Sequence, residues 1–319
     1  MSSTEIGKKF RKIVTVTLNP TIDRVIEVVG LTPGDHQIGK TVMRSPGGKG
    51  VNVSRVLAVM GISNTMTGFF GKDNLAIFSN LESDNITPDF VVIPGSTREN
   101  ITIVDTEKNI DTHIRDTGLP VNAAAIKQLG ELLKKHCVAG VIVIFAGSTP
   151  PGVSPSDFAN LVQQCIDSGA SVVVDASGEA LQAVANKKLW LLKPNTIELQ
   201  EIVGKKLTTL DEQLTAAREL TTNIENVLLS LGADGAYWIS QDQVLHAKVD
   251  LDDLPVQNTV GCGDTLLGAF VAGVWGGANR EEILTTAVTT ASASAAHQTT
   301  AQFNPELVAK LKSKTKVTV

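Results

Sequence analysis

Short runs of β-branched and other apolar residues alternate along the chain with segments whose apolar positions recur every three or four residues. The runs IVTVTLN (13–19), NTMTGFFG (64–71), GVIVIFAG (140–147), SVVVDASG (171–178), LWLLKPN (189–195) and NVLLSLG (226–232) predict strands. The segments VNVSRVLAVMG, AAAIKQLGELLKKH, SPSDFANLVQQCIDSG and DEQLTAARELTT between them predict helices. Near-continuous apolar strands alternating with helices predict an α/β fold whose parallel sheet is covered on both faces. Ligands of such sheets lie beyond the carboxyl ends of the strands, where Asn19, Gly71, Gly147, Asp175, Asn195 and Gly232 fall.

Two segments break the alternation. Residues 24–45 and 89–116 have strand character without intervening helices, and predict β-ribbons that assemble into a small second sheet, a lid or a dimer surface. Near the end, Arg280 through about Ala296 reads as a helix rich in Ala, Thr and Ser, with a further short helix after Pro305.

Composition narrows the class. In 319 residues, 42% are hydrophobic, enough for a sizeable core, and 28 Lys plus Arg against 33 Asp plus Glu give −5. That balance gives no electrostatic footprint for nucleic acid or an anionic membrane. Cys137, Cys165 and Cys262 are too few and too scattered for a disulfide framework or a CxxC metal site, as expected of a cytoplasmic protein. No apolar run approaches a membrane span, and residues 1–12 read as a polar tail rather than a signal peptide.

Candidate chemistry centres on TVGCGDTLLGAF (259–270), where Gly261, Cys262 and Gly263 lead into Asp264 and an apolar helical pattern. Asp264 reads as a helix cap favoured by the dipole. Equally, glycines at a helix start leave bare N–H groups that hold an anion, and an acid beside them serves if it takes a proton during phosphoryl transfer. Gly34 to Thr41 fits G-x-x-x-x-G-K-[ST], but Pro46-Gly47-Gly48 interrupts at once, so no helix follows and the phosphate-loop reading is rejected. Lys40 remains a candidate ligand contact from the lid. Gly48, Lys49 and Asn52 precede or open a helix, where close backbone approach and side-chain donors suit a small polar ligand.

Lys40, Arg44, Arg98 and Arg115 gather in the two ribbons, and the planar fork of Arg98 suits a phosphate or carboxylate. Asn195 and Glu198 read as a helix cap or as a Mg²⁺ anchor acting directly or through water. Residues 230–236 read as a hairpin turn, and the five histidines are too dispersed for a metal site.

In order, TLNPTID (17–23), PGGKGVNVSRVL (46–57), TRENI (97–101), GSTPPGV (147–153), DASGEAL (175–181), KPNTIEL (193–199), SLGADGA (230–236) and TVGCGDT (259–265) resemble the phosphofructokinase B family of ribokinase-like sugar kinases. The resemblance implies a three-layer α/β sandwich with a mostly parallel central sheet and a β-sheet lid, in one kinase domain over 13–319. It implies ATP-dependent phosphorylation of a sugar phosphate with Mg²⁺: fructose 1-phosphate to fructose 1,6-bisphosphate first, with tagatose 6-phosphate and fructose 6-phosphate as neighbouring substrates. A sugar- or nucleotide-binding regulator that has lost turnover is the reading from a different class. A Rossmann-type dehydrogenase is weaker, because the first strand is not followed by GxGxxG.

By the same resemblance Asp264 is the catalytic base, with the amides of Gly261, Cys262 and Gly263 around the transferred group. Asp23, Gly48, Lys49 and Asn52 meet the sugar, and Arg98, helped by Lys40, Lys49 or Arg115, its phosphate. Lys193, Asn195, Ser230, Gly232, Gly235, Gly263 and His297 line the ATP site, Asn195 and Glu198 organise Mg²⁺, and the lid clasps a homodimer. Cys262 replaces the family's usual Ala, and the helix N-terminus is expected to lower its pKa. His113 and His297 stand where relatives often carry Glu and Asn.

Overall fold

The structure, a computed structural model, describes residues 10–251 and 254–318. In chain order the strands are β1 (Lys12–Thr17), β2 (Thr21–Val28), β3 (Lys40–Gly47), β4 (Asn64–Gly71), β5 (Ile86–Pro88), β6 (Val91–Ile93), β7 (Glu99–Asp105), β8 (Ile110–Ile114), β9 (Val141–Ala146), β10 (Ser171–Asp175), β11 (Leu191–Leu192), β12 (Asn226–Ser230), β13 (Ala236–Ile239), β14 (Val244–Val249) and β15 (Thr315–Thr318). The helices are α1 (Lys49–Val59), α2 (Ala76–Ser79), α3 (Ala123–His136), α4 (Pro155–Asp167), α5 (Gly178–Gln182), α6 (Thr196–Val203), α7 (Leu210–Leu220), α8 (Cys262–Trp275), α9 (Arg280–Ala295) and α10 (Pro305–Lys312).

The apolar runs build one large sheet in the order β15-β14-β13-β12-β11-β10-β9-β1-β4-β5, with β6 also on β4. From β12 across to β5 every pairing is parallel, so the carboxyl ends share one edge. Beyond β12 the sheet continues antiparallel through β13, β14 and β15. Strand residues such as Val14, Val143 and Val174 pack on one face against α3, α4 and α6. Ile13, Ile142 and Leu228 pack on the other against α1, α8, α9 and α10. Helix, sheet and helix therefore make three layers, as expected. Helix starts follow local chemistry: Ser154 and Asp157 form a capping box with Pro155 in the first turn of α4, and Asn122 caps α3.

The strand expected over 189–195 is reduced to Leu191–Leu192. Pro194 has no N–H to donate, and Asn195 turns out of the sheet to cap α6.

The small sheet runs β3-β2-β7-β8, separate from the large one. Its strands begin earlier than residue 24 and reach Gly47, and residues 91–93 of the second ribbon segment join the large sheet as β6 instead. At the far tip Asp105, almost fully buried, accepts the N–H groups of Gly30, Leu31, Glu107 and Lys108 and locks the loops that end both ribbons. The phosphate-loop look-alike ends in strand, since Lys40 opens β3 and no helix follows. Of the expected polar tail, residues 1–9 lie outside the described residues. Phe10 stacks edge-on against Trp190 at 5.6 Å and Lys12 opens β1, so residues 10–12 are part of the fold.

Gly68 pairs with Thr17 at the end of β1 with φ 140°, and a Cβ there meets the Thr17 carbonyl oxygen. Gly68→Ala combines backbone strain of about 1–3 kcal/mol with that clash. The denaturant midpoint is expected to fall with little change in slope, measured by chemical unfolding.

Candidate active site

The carboxyl ends of β1, β9, β10 and β12 open, with the N-termini of α1 and α8, into one cleft of about 1260 Å³. Asn19, Gly147, Asp175, Asn195 and Gly232 line it. Gly71 does not, and its N–H is bound by the Thr97 hydroxyl at 2.9 Å. The lid contributes Asp23 and Asn100 to one wall, and the turn around Gly232 and residues Ala291 and Ala295 of α9 form another.

Asp264 lies at the floor and is not a cap. The N-cap of α8 is Gly261 in the left-handed region at φ 81°, where a Cβ strikes the Thr300 methyl, and no side chain caps this helix. Asp264 is the third helical residue, 5% exposed, and its Oδ2 accepts the Asn52 amide at 2.8 Å. Burial, reinforced by the charge of Asp175, pushes its pKa up to about 7, against the pull of Lys49, Asn52 and Lys193. An acid near neutrality in the first turn of a helix that no side chain caps is arranged to exchange a proton. The remaining Asn52 oxygen is buried without a partner.

Behind this floor Asp175 ends β10 with no exposure to water. Its Oδ1 meets Lys49 Nζ at 2.8 Å and its Oδ2 meets Lys193 Nζ at 3.0 Å. The pairs overcome burial and hold the Asp175 carboxyl below the usual range. Burial draws the Lys49 ammonium down, but Asp175, Asp264 and Glu198 outweigh it and raise its pKa. The motif reading noted Asp175 only as a strand end. Its signal was an acid closing an apolar strand in DASG.

Asp23 is held by the Asn100 amide at 3.3 Å, and burial raises its pKa. Arg98 donates to the backbone oxygens of Asn19, Pro20 and Asp116, leaving two of its five N–H donors for a ligand. Arg115 also lines the cleft. Arg44 instead pairs with Glu99 at 2.6 Å on the lid.

Gly48, Lys49, Asn52, Lys193, Ser230, Gly235, Gly261, Cys262 and Gly263 line the same cleft. Three expected positions do not. Lys40 is exposed at the end of β3 away from Gly47 and Gly48. His297 turns back on its own loop, its Nδ1 accepting the Thr299 N–H at 3.0 Å. Glu198 is buried behind the wall, completing a capping box with Asn195 and lying 3.7 Å from Lys49. The expected lowering of the Cys262 pKa is also overturned, since burial and then the Asp264 charge push the thiol up to about 11.

A small sheet beside the carboxyl edge of a parallel sheet, with such a cleft between them, is an architecture that encloses a ligand at the strand ends. The chain belongs to the pfkB family of carbohydrate kinases, whose pattern spans residues 16–307. It is 37% identical over 274 residues to 1-phosphofructokinase of Vibrio cholerae, covering 85% of this chain and 84% of that one. It is 32% identical over 285 residues to 1-phosphofructokinase of Bacillus subtilis, covering 89% and 92%. Phosphofructokinase-2 of Escherichia coli, solved in complex with potassium, superposes with a TM-score of 0.87 at 26% identity, over 95% of this chain and 98% of that one. Among the described residues no helix is long and apolar enough to cross a membrane.

The raised Asp264 pKa has a consequence for stability. Between its unfolded value of 3.8 and about 7 the folded state binds the extra proton, so stability falls as pH rises and the full cost of ionisation stands above pH 7. Asp264→Asn removes that cost. Its melting temperature is expected to exceed that of the parent at pH 8, with the gain shrinking toward pH 5, read by differential scanning calorimetry.

Proposed function

We propose that the protein transfers the γ-phosphoryl group of ATP to fructose 1-phosphate, giving fructose 1,6-bisphosphate. The observation that carries this reading is Asp264, an acid near neutral pKa at the floor of the cleft and free of any capping role. Kinship with 1-phosphofructokinases at 32–37% identity selects the sugar.

In this reading Asp264 takes the proton of the attacking hydroxyl while Asn52 orients its carboxylate. The N–H groups at the start of α8 face the charge that develops on the phosphoryl oxygens. Asp23 and Asn52 hold sugar hydroxyls beside Gly48. Arg115 and the two free N–H groups of Arg98 meet the phosphate already on the substrate. ATP lies along the Ser230–Gly235 turn between Asn195 and α9.

The chain's donor set fits Mg²⁺ only through water. Among the described residues no three acidic, His or Cys side chains gather to hold a metal, and both Glu198 oxygens are turned to Asn195 and Lys49. That suits an ion that keeps its waters and binds mainly to phosphates. Asn195 and Glu198 would hold its water shell, and the ion would neutralise phosphate charge. The lid has a second use in a homodimer: β8 is exposed along its length, with Ile110 and Ile114 more than half exposed, and a second copy covers it.

An ADP-release assay with Mg²⁺–ATP and fructose 1-phosphate, fructose 6-phosphate, tagatose 6-phosphate or fructose tests the reading. Fructose 1-phosphate is expected to give the highest kcat/KM, and preference for a 6-phosphate would move the substrate while keeping the chemistry. Asp264→Asn should lower kcat by roughly 10²–10⁴. Arg115→Ala should raise KM for the sugar phosphate about 10- to 100-fold with kcat nearly kept, the loss of one charge-assisted contact. In the parent, kcat/KM should rise with pH and level off near pH 7 as Asp264 loses its proton.

A further inference from the structure

Three elements end at one buried point. β10 delivers Asp175, the first residue of α1 is Lys49, and Lys193 follows β11 directly. Asp175 borders the cleft but has no exposure to water, because its carboxylate is turned toward two lysines. Its Oδ1 accepts a hydrogen bond from Lys49 at 2.8 Å, and its Oδ2 forms an ion pair with Lys193 at 3.0 Å that falls outside hydrogen-bond geometry. The two lysines nevertheless line the cleft themselves, and Lys193 Nζ lies 3.4 Å from where a Cβ on Gly263 would stand. Asp175 thus gathers two ammonium groups, with Glu198 a further 3.7 Å from Lys49, and both ammonium groups lie under the first turn of α8, where the proposed reaction develops negative charge.

We propose that Asp175 is a positioning residue that acts through Lys49 and Lys193, fixing both ammonium groups at the cleft floor so that they meet the oxygens of the phosphoryl group in transit. The inference rests on the kinase reading above and adds a residue to it. A lysine left free on its four-carbon stem samples many rotamers and reorients during the reaction; one held by a buried counter-charge is already in place. The same carboxylate also acts on the base. The charged and polar groups acting on Asp264 are Lys49 and Asn52 from α1, Asp175 from β10 and Lys193 after β11. Asp175 opposes ionisation of Asp264, whereas the lysines favour it.

These opposite signs separate positioning from mere scaffolding. In Asp175→Asn the shape is kept and the charge removed. With repulsion gone and the lysines unneutralised, the acid limb of kcat/KM is expected to move at least one unit below that of the parent. Because the lysines are no longer held, kcat is expected to fall tenfold or more. In Lys193→Met the limb should move upward, since Asp175 then keeps one cation only. In the double variant the loss in kcat should be less than the product of the single losses, because the two changes disable one device.

A limb that stays in place in Asp175→Asn, a full kcat in that variant, or independent losses in the double variant would overturn the proposal. Should Asp175→Asn not fold, Lys193→Met decides alone, and a limb unmoved or shifted downward counts against it. Asp264→Asn separates the two levels of inference. If it turns over, the base reading falls; if it is inactive while the Asp175→Asn limb is unmoved, only the role of Asp175 falls.

Discussion

A carboxylate removed from water stays ionised where cations or hydrogen-bond donors come to it, and at the cleft floor Lys49 and Lys193 meet that condition for Asp175. The cost of burying the charge falls on three elements at once. β10 must end where it does, α1 must start on Lys49, and the chain must leave β11 through Lys193. The cleft floor is therefore assembled by electrostatics as well as by sheet packing. Burial is the larger cause of the raised Asp264 pKa, and the same arrangement adds to it, because the Asp175 charge nearby further disfavours a second one.

Much of the architecture could be read from periodicity. The pattern over 123–136 is a helix with the same bounds, and β9, β10 and β12 are the apolar cores of longer predicted runs. Local chemistry was also legible: the cap reading of Asn195 and Glu198 holds as a complete capping box. The hairpin turn after Ser230 was read, but not the β14–β15 edge. Those strands are short, half-buried and polar on alternate residues, and they gain their pairing only from the strand before them.

Contacts between distant parts of the chain were not legible. The role of Asp175 depends on Lys49 and Lys193, and no spacing in the chain announces that the three converge. Cys137 and Cys165, scattered in sequence, lie with their Sγ atoms 3.1 Å apart where α3 packs on α4. Position in the sequence also says little about direction. Lys40 and His297 lie outside the ordered series of motifs, and one lies along the ribbon away from the cleft while the other folds onto its own loop. For Cys262 the helix start was the visible influence, whereas burial and the neighbouring Asp264, both set by the fold, push its pKa up.

Arg98 carries a further consequence. Its three occupied donors grip the carbonyls of Asn19 and Pro20, where the chain enters the lid, and of Asp116, where it leaves. At the other end Asp105 ties both ribbon tips into one knot. The ribbons are thus fastened at both ends, by a carboxylate at the tip and a guanidinium at the base. The guanidinium that fastens the base of the lid is the same one whose two remaining donors the proposed function gives to the substrate phosphate, so anchoring and recognition fall on one side chain.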